Sequence, residues 1–141
     1  MTDWTGATAL VVVDVQQGLD DAEYYVHRNN PSCEIHIGQL IAAWRQQNWP
    51  IVFVKHDSVI EGSPLRPSGP GNALKPVVSG DHDLLVTKSV ASAFYGDPNL
   101  HEWLQSHGIT GLAICGIQTN VCCETTARQG SDLGYDVLFV T

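Results

Sequence analysis

The sequence predicts an α/β fold of three layers, α/β/α, built on a mainly parallel sheet. Two observations carry that reading. Short apolar runs and stretches with helical spacing alternate along all 141 residues, the pattern of strands joined by crossover helices. The apolar runs are also close to continuous, as expected of strands covered on both faces. No repeat, low-complexity tract or linker interrupts the order, so residues 1–141 are read as one domain.

The first strand spans residues 8–13, and its run Ala9-Leu10-Val11-Val12-Val13 ends directly on Asp14. A polar loop over 16–30 follows and contains Tyr24-Tyr25. Asn30 is placed to cap a helix with Pro31 at its first position. Ile37, Leu40, Ile41 and Trp44 then recur at helical spacing as a core-facing stripe, and Asn48 and Pro50 mark its end. The second strand covers 51–54 and runs into Lys55-His56-Asp57-Ser58. A Pro/Gly-rich segment over 59–80 is long for a loop inside a compact domain and is read as a pocket wall or lid.

The third strand, 84–87, ends at Lys88. Asp97-Pro98 opens a further helix, with Leu100, Trp103 and Leu104 inward and Gly108 closing it. The fourth strand, 111–114, leads into Cys115-Gly116-Ile117-Gln118-Thr119-Asn120-Val121-Cys122-Cys123. A helix then reaches Leu133, with Gly134 as its stop, and a fifth strand covers 137–140.

Asp14, Lys88 and Cys122 therefore all follow the carboxyl ends of strands, and in a parallel sheet those ends share one rim, where open α/β sheets bind ligands. A carboxylate at the end of a buried strand needs a partner or a task. A thiol in the first turn of a helix is expected to ionise more readily and to act as a nucleophile. Cys123 is the rival, but adjacent helical residues point about 100° apart, so only one of the two can face the cleft; Cys123 and Cys115 are read as core residues.

Composition sets limits on partners. The formal net charge of -8 argues against nucleic acid, whose phosphates call for clustered Lys and Arg. Met1-Thr2-Asp3-Trp4 carries no basic secretory region, and the first strand is too short to span a membrane. Cys33, Cys115, Cys122 and Cys123 include no Cys-x-x-Cys pair. A reducing cytoplasm is the expected setting.

The segments Val11-Val12-Val13-Asp14-Val15-Gln16, Lys88 with Ser92-Ala93-Phe94, and Gly116-Ile117-Gln118-Thr119-Asn120-Val121-Cys122 resemble the isochorismatase-like cysteine hydrolases, which include nicotinamidases and N-carbamoylsarcosine amidohydrolases. Thr125-Thr126-Ala127-Arg128 and Leu133-Gly134-Tyr135-Asp136-Val137 also fit. The resemblance covers nearly the whole chain in order, and it implies a Rossmann-like isochorismatase fold. It implies Asp14 as proton acceptor, Lys88 as the cation that holds Asp14 ionised, and Cys122 as nucleophile. It further implies a cis peptide between Ile117 and Gln118, and an oxyanion hole made by the N–H groups of Gln118 and Cys122.

Thr119 is read as the cap of the helix, with a substrate contact as the alternative. His56, Phe94 and Tyr95 are candidate pocket residues; for Phe94 core packing is the alternative, and for His56 a satisfied loop position. Nicotinamidases of the family bind a divalent ion through Asp-x-His after the second strand. Lys55-His56-Asp57-Ser58 lacks that spacing, so neither a metal nor another cofactor is expected. Ser63-Pro64-Leu65 and Gly71-Asn72 are similar to segments of uncharacterised hydrolases and of streptothricin hydrolase.

The expected substrate is a small molecule with an amide, lactam or carbamoyl C–N bond. Vinyl-ether hydrolysis of the isochorismatase type is the alternative activity, and a non-catalytic assembly subunit is the alternative class. Family members continue beyond this point with an Asp-Ala pair, a helix and a further strand. The reading is of a sequence that stops after the fifth strand, either a partial sequence or a shortened protein, whose open edge favours a homo-oligomer.

Overall fold

The computed structural model describes residues 5–25 and 28–141. The reading of the amino terminus rests on residues 1–4, which lie outside the described part. Among the described residues five strands form one sheet in the order β3-β2-β1-β4-β5, and every pairing within it is parallel. The strands are β1 (Thr8–Val13), β2 (Ile51–His56), β3 (Leu84–Lys88), β4 (Gly111–Gly116) and β5 (Asp136–Phe139). Among the described residues three helices connect them: α1 (Cys33–Gln47), α2 (Leu100–Ser106) and α3 (Glu124–Asp132). The α/β class expected from the sequence is the fold observed.

The pleat of β1 divides the core in two. Ala9, Val11 and Val13 pack with Leu100 and Leu104 of α2 and Ala127 of α3. Leu10 and Val12 pack with Ile37, Ile41 and Trp44 of α1. Alternate side chains of a strand point to opposite faces, so α1 covers one face and α2 and α3 the other. All six residues of β1 are buried. Removal of each large aliphatic side chain from water there contributes about 1.5–3 kcal/mol.

Local chemistry sets the element ends. Asn48 takes the left-handed conformation (φ 53°) at the end of α1, and its N–H donates to the carbonyls of Arg45 and Trp44. Gly108 and Gly134 have φ of 65° and 94° behind α2 and α3. Two expected helix starts are displaced. α1 begins at Cys33, and Asn30 instead accepts from the Ser32 N–H. α2 begins at Leu100 behind Asn99, whose side chain accepts from the Glu102 N–H, while Asp97-Pro98 is a cis turn ahead of it. In both places a side-chain acceptor next to the helix competes with the Pro signal.

Strands β2 and β4 each run two residues further than the apolar pattern indicated. The extension of β2 brings His56 into register with Lys88. That of β4 brings Gly116 against Val13. At Gly116 φ is 136°, and a Cβ would lie 2.1 Å from the Val13 carbonyl oxygen. Only glycine allows β4 to stay paired this close to the end of β1.

Candidate active site

Asp14 leaves β1 with φ of 53°, a left-handed conformation that Asp tolerates better than most residues. Its N–H donates to the Val54 carbonyl and its own carbonyl accepts from the Gln16 N–H. The turn aims the carboxylate across the rim at the end of β3. There Lys88 Nζ donates to Asp14 Oδ2 at 2.7 Å, and both side chains are buried, at 0% and 3% exposure. The other carboxylate oxygen, Oδ1, is buried with no hydrogen-bond partner. A buried carboxylate normally satisfies both oxygens, so this one is poised to accept.

Cys122 approaches from β4. The chain leaves Gly116, crosses a cis Ile117–Gln118 peptide, and enters one π-type turn, Thr119–Cys123, that leads into α3. Cys122 Sγ, a ring nitrogen of His56 and a carboxylate oxygen of Asp14 all lie within 4.8 Å of one another. The structure thus brings Asp14, Lys88, Cys122 and His56 together at one rim. Cys123 points away into the α2/α3 side of the core at 1% exposure, and Cys115 packs on the α1 side.

The electrostatics correct one expectation. Burial, then the neighbouring Asp14 carboxylate, push the Cys122 thiol up to about 12, although Lys88 acts to lower it. At neutral pH the resting group is therefore a thiol, not the readily formed thiolate expected of a helix start. Burial also raises the Asp14 carboxyl above its ordinary value, against the pull of Lys88. Burial and the Lys88 charge lower the His56 imidazole, so it is neutral. Lysine only donates, so His56 Nδ1, 2.9 Å from Lys88 Nζ, is the acceptor.

Asp14, His56 and Cys122 are the only described residues grouped closely enough to suggest a metal. The Lys88 ammonium already takes the lone pairs that an ion would need on Asp14 Oδ2 and His56 Nδ1. A divalent ion there would meet a fixed positive charge at contact distance, and with His56 Nδ1 engaged by Lys88 the group leaves zinc short of three free ligand atoms. The residues do not fit a metal.

Other site expectations are revised. Thr119 is the first residue of the turn rather than its cap; Gln118 holds the cap position and makes no side-chain capping bond. Phe94 is core, 7% exposed and stacked on Tyr135, while Tyr95 projects into solvent at 73% exposure. The 59–80 segment does not line the cavity at the 116–120 turn, though Lys75, Pro76 and Val77 line a smaller one with Asp20, Arg28 and Glu34. Leu65, Asn72, Lys75 and Val78 are buried, and Asn72 ties the segment to the His56 carbonyl, Asp57 and the Leu65 carbonyl. It serves as a buttress behind β2.

A cavity of about 550 Å³ lies between Leu19, Tyr25 and Arg28, α1 and the 116–120 turn; Asp14, His56, Lys88 and Cys122 are not among its lining residues. Gln118, Thr119 and Asn120 line it, with Tyr25, Arg28 and Cys33 opposite. Tyr25 links it to the rim: burial raises its phenol, and the charges of Tyr24, Cys122 and Asp14 raise it further. Arg28 and Lys75 pin this loop to α1 through Asp20 and Glu34, at 2.5–3.1 Å. Burial acts to raise the Glu34 carboxyl, but its bonds from Arg28 and Lys75 hold it down at about 2. The sequence marked Tyr25 only as part of a polar loop, because a tyrosine there carries no spacing signal. Gln16 was visible within the first motif; it is wholly buried and clasps His56 through both its amide atoms.

Among the described residues no helix is long and apolar enough to cross a membrane. The family model described as the isochorismatase domain matches residues 8–141. The YrdC isochorismatase-family protein of Bacillus subtilis strain 168 is 35% identical over 94% of the chain and 71% of its own length. The ureidoacrylate amidohydrolase RutB of Pseudomonas savastanoi pv. phaseolicola is 31% identical over 92% of the chain and 67% of its own. An isochorismatase-family crystal structure from Chromobacterium violaceum superposes with a TM-score of 0.90 at 31% identity, over 99% of the chain and 72% of that protein. The chain belongs to the isochorismatase family of hydrolases.

Proposed function

We propose that the protein is a cysteine amidohydrolase that cleaves the C–N bond of a small amide, lactam or carbamoyl compound through a thioester. The observation that carries this reading is the buried Asp14 carboxylate, with one oxygen on Lys88 and the other unpartnered in a group that includes the Cys122 thiol. The amide chemistry of the RutB relative supports the substrate class.

The thiol is protonated at rest, so deprotonation accompanies attack. Asp14 takes the proton as Sγ bonds to the carbonyl carbon. The oxyanion that forms is held by the N–H groups of Gln118 and Cys122, a kind of donor whose loss typically costs about 2.7–4 kcal/mol in the transition state. As the C–N bond breaks, Asp14 returns the proton to the leaving nitrogen. Water then attacks the thioester carbon and gives one proton to Asp14; the carboxylic acid departs, and the proton returns to Sγ. Lys88 keeps Asp14 ionised between steps. Thr119, on the turn that carries Cys122, is available as a substrate contact.

The test is a panel of primary amides, N-carbamoyl compounds and lactams, scored by release of ammonia or new carboxylate. Hydrolysis of at least one member, undiminished by exhaustive chelation, is the expected result. In its pH profile kcat/KM falls on the acid side as Asp14 gains a proton and ceases to accept one. Because burial raises that carboxyl, the limb lies above the ordinary carboxylate range. A chelation-sensitive activity, or a limb at or below pH 3.8, the ordinary value for Asp, would contradict the reading.

A further inference from the structure

We propose that His56 is a positioning residue of this site: its neutral Nδ1 is a second acceptor that fixes the direction of the Lys88 ammonium. The inference rests on the reading of Asp14, Lys88 and Cys122 as the reacting set.

An ammonium has three N–H donors and no acceptor. Lys88 Nζ directs one to Asp14 Oδ2 at 2.7 Å and one to His56 Nδ1 at 2.9 Å. The third remains free of these two acceptors, and the Lys88 charge acts to favour the Cys122 thiolate. His56 therefore does not serve as the base for Cys122, because Nδ1 accepts from Lys88 and the ring also bonds the Val90 backbone. Without that acceptor, the wholly buried ammonium is free to swing onto Asp14 alone. The carboxylate would then be over-stabilised as a base, and the thiol would lose its oriented cation.

The imidazole is itself held in place. His56 and Lys88 are register partners on β2 and β3. Gln16 Nε2 donates to the His56 carbonyl at 2.9 Å, and Gln16 Oε1 accepts from the His56 N–H at 2.8 Å. Asn72 donates to the same carbonyl. Gln16 is two residues from Asp14, so one clasp sets the base, the cation and the imidazole relative to each other. Such support is what keeps reacting groups within the small tolerance that catalysis allows.

The experiment uses p-nitrophenyl acetate as an acyl donor and follows p-nitrophenolate release. The full chain is compared as wild type, Cys122→Ala, His56→Leu and His56→Asn, with Tm measured for each. Asn places Oδ1 where Nδ1 stood and so restores an acceptor; Leu removes it. The expected result is an acylation rate constant about 10- to 100-fold lower in His56→Leu with little change in KM, and recovery to within a few-fold of wild type in His56→Asn. If His56→Leu fails to fold, His56→Ala takes its place in the comparison. Wild-type rates in the Leu or Ala variant would overturn the inference. So would equal slowing of the Asn and Leu variants at unchanged Tm, since packing alone would then account for His56. Wild-type acylation no faster than that of Cys122→Ala would overturn the underlying reading and this inference with it, a pattern distinct from the other two.

Discussion

Cys122→Ala is expected to lower hydrolysis at least about 1,000-fold, while Cys123→Ala keeps most of it. The two side chains differ only in where the turn points them. Cys122 lies within 4.8 Å of Asp14 and His56 atoms, whereas Cys123 is 1% exposed in the core shared with α2 and α3. Truncation of Cys123 removes a small buried group and costs about 1 kcal/mol of stability, which thermal unfolding would register. Truncation of Cys122 leaves the fold nearly untouched but removes the proposed nucleophile. Equal loss of turnover in the two folded variants would mean that the turn does not select the nucleophile.

Lys88→Met is expected to be the most damaging substitution for stability at this rim, at about 3–5 kcal/mol near neutral pH. It leaves the Asp14 carboxylate buried without a counter-ion, and burial already raises that carboxyl. The sign of the pH dependence follows. A folded-state carboxyl raised above its unfolded value binds protons more readily in the folded protein, so stability is lost as pH rises through the folded value. The deficit of Lys88→Met should therefore shrink at acid pH and grow toward neutrality. Asp14→Asn in the same chain should recover much of the loss, because no buried charge then remains. Urea unfolding of the four members of this cycle at two pH values measures both effects. A Lys88→Met protein as stable as the wild type at neutral pH would show that Asp14 is not held by this ion pair.

The sequence revealed the sheet and the rim for a simple physical reason. β1, β2 and β4 lie inside the sheet, so their residues are apolar without interruption, and their ends appear as abrupt polar residues. Asp14 and Cys122 were legible as such ends; helical geometry allowed only one of Cys122 and Cys123 to face the cleft, and the family resemblance chose Cys122. What depended on distant contacts was not legible. The protonation of Cys122 is decided by burial and by a carboxylate from another strand, neither of which a local motif records. His56 stood next to an apolar run, but its bond to Lys88 comes only from the β2–β3 register. The start of α1 at Cys33 rather than after Asn30 turned on a single side-chain bond to Ser32. Phe94 and Tyr95 are neighbours in sequence, yet a short 3-10 turn, Ala93–Tyr95, sends one into the core and the other into solvent.

The central claim is that Cys122 Sγ becomes the acyl carrier, with Asp14 as its base. Rapid acid quenching of the enzyme during turnover of p-nitrophenyl acetate, followed by intact-mass and peptide mapping, tests it directly. The account predicts one acetyl group per chain on the Cys122 peptide, labile to hydroxylamine as a thioester is, absent in Cys122→Ala and formed far more slowly in Asp14→Asn. An acetyl group on Cys123, Cys33 or a surface amine in place of Cys122, or turnover with no acylated enzyme in Cys122→Ala at the wild-type rate, would contradict it.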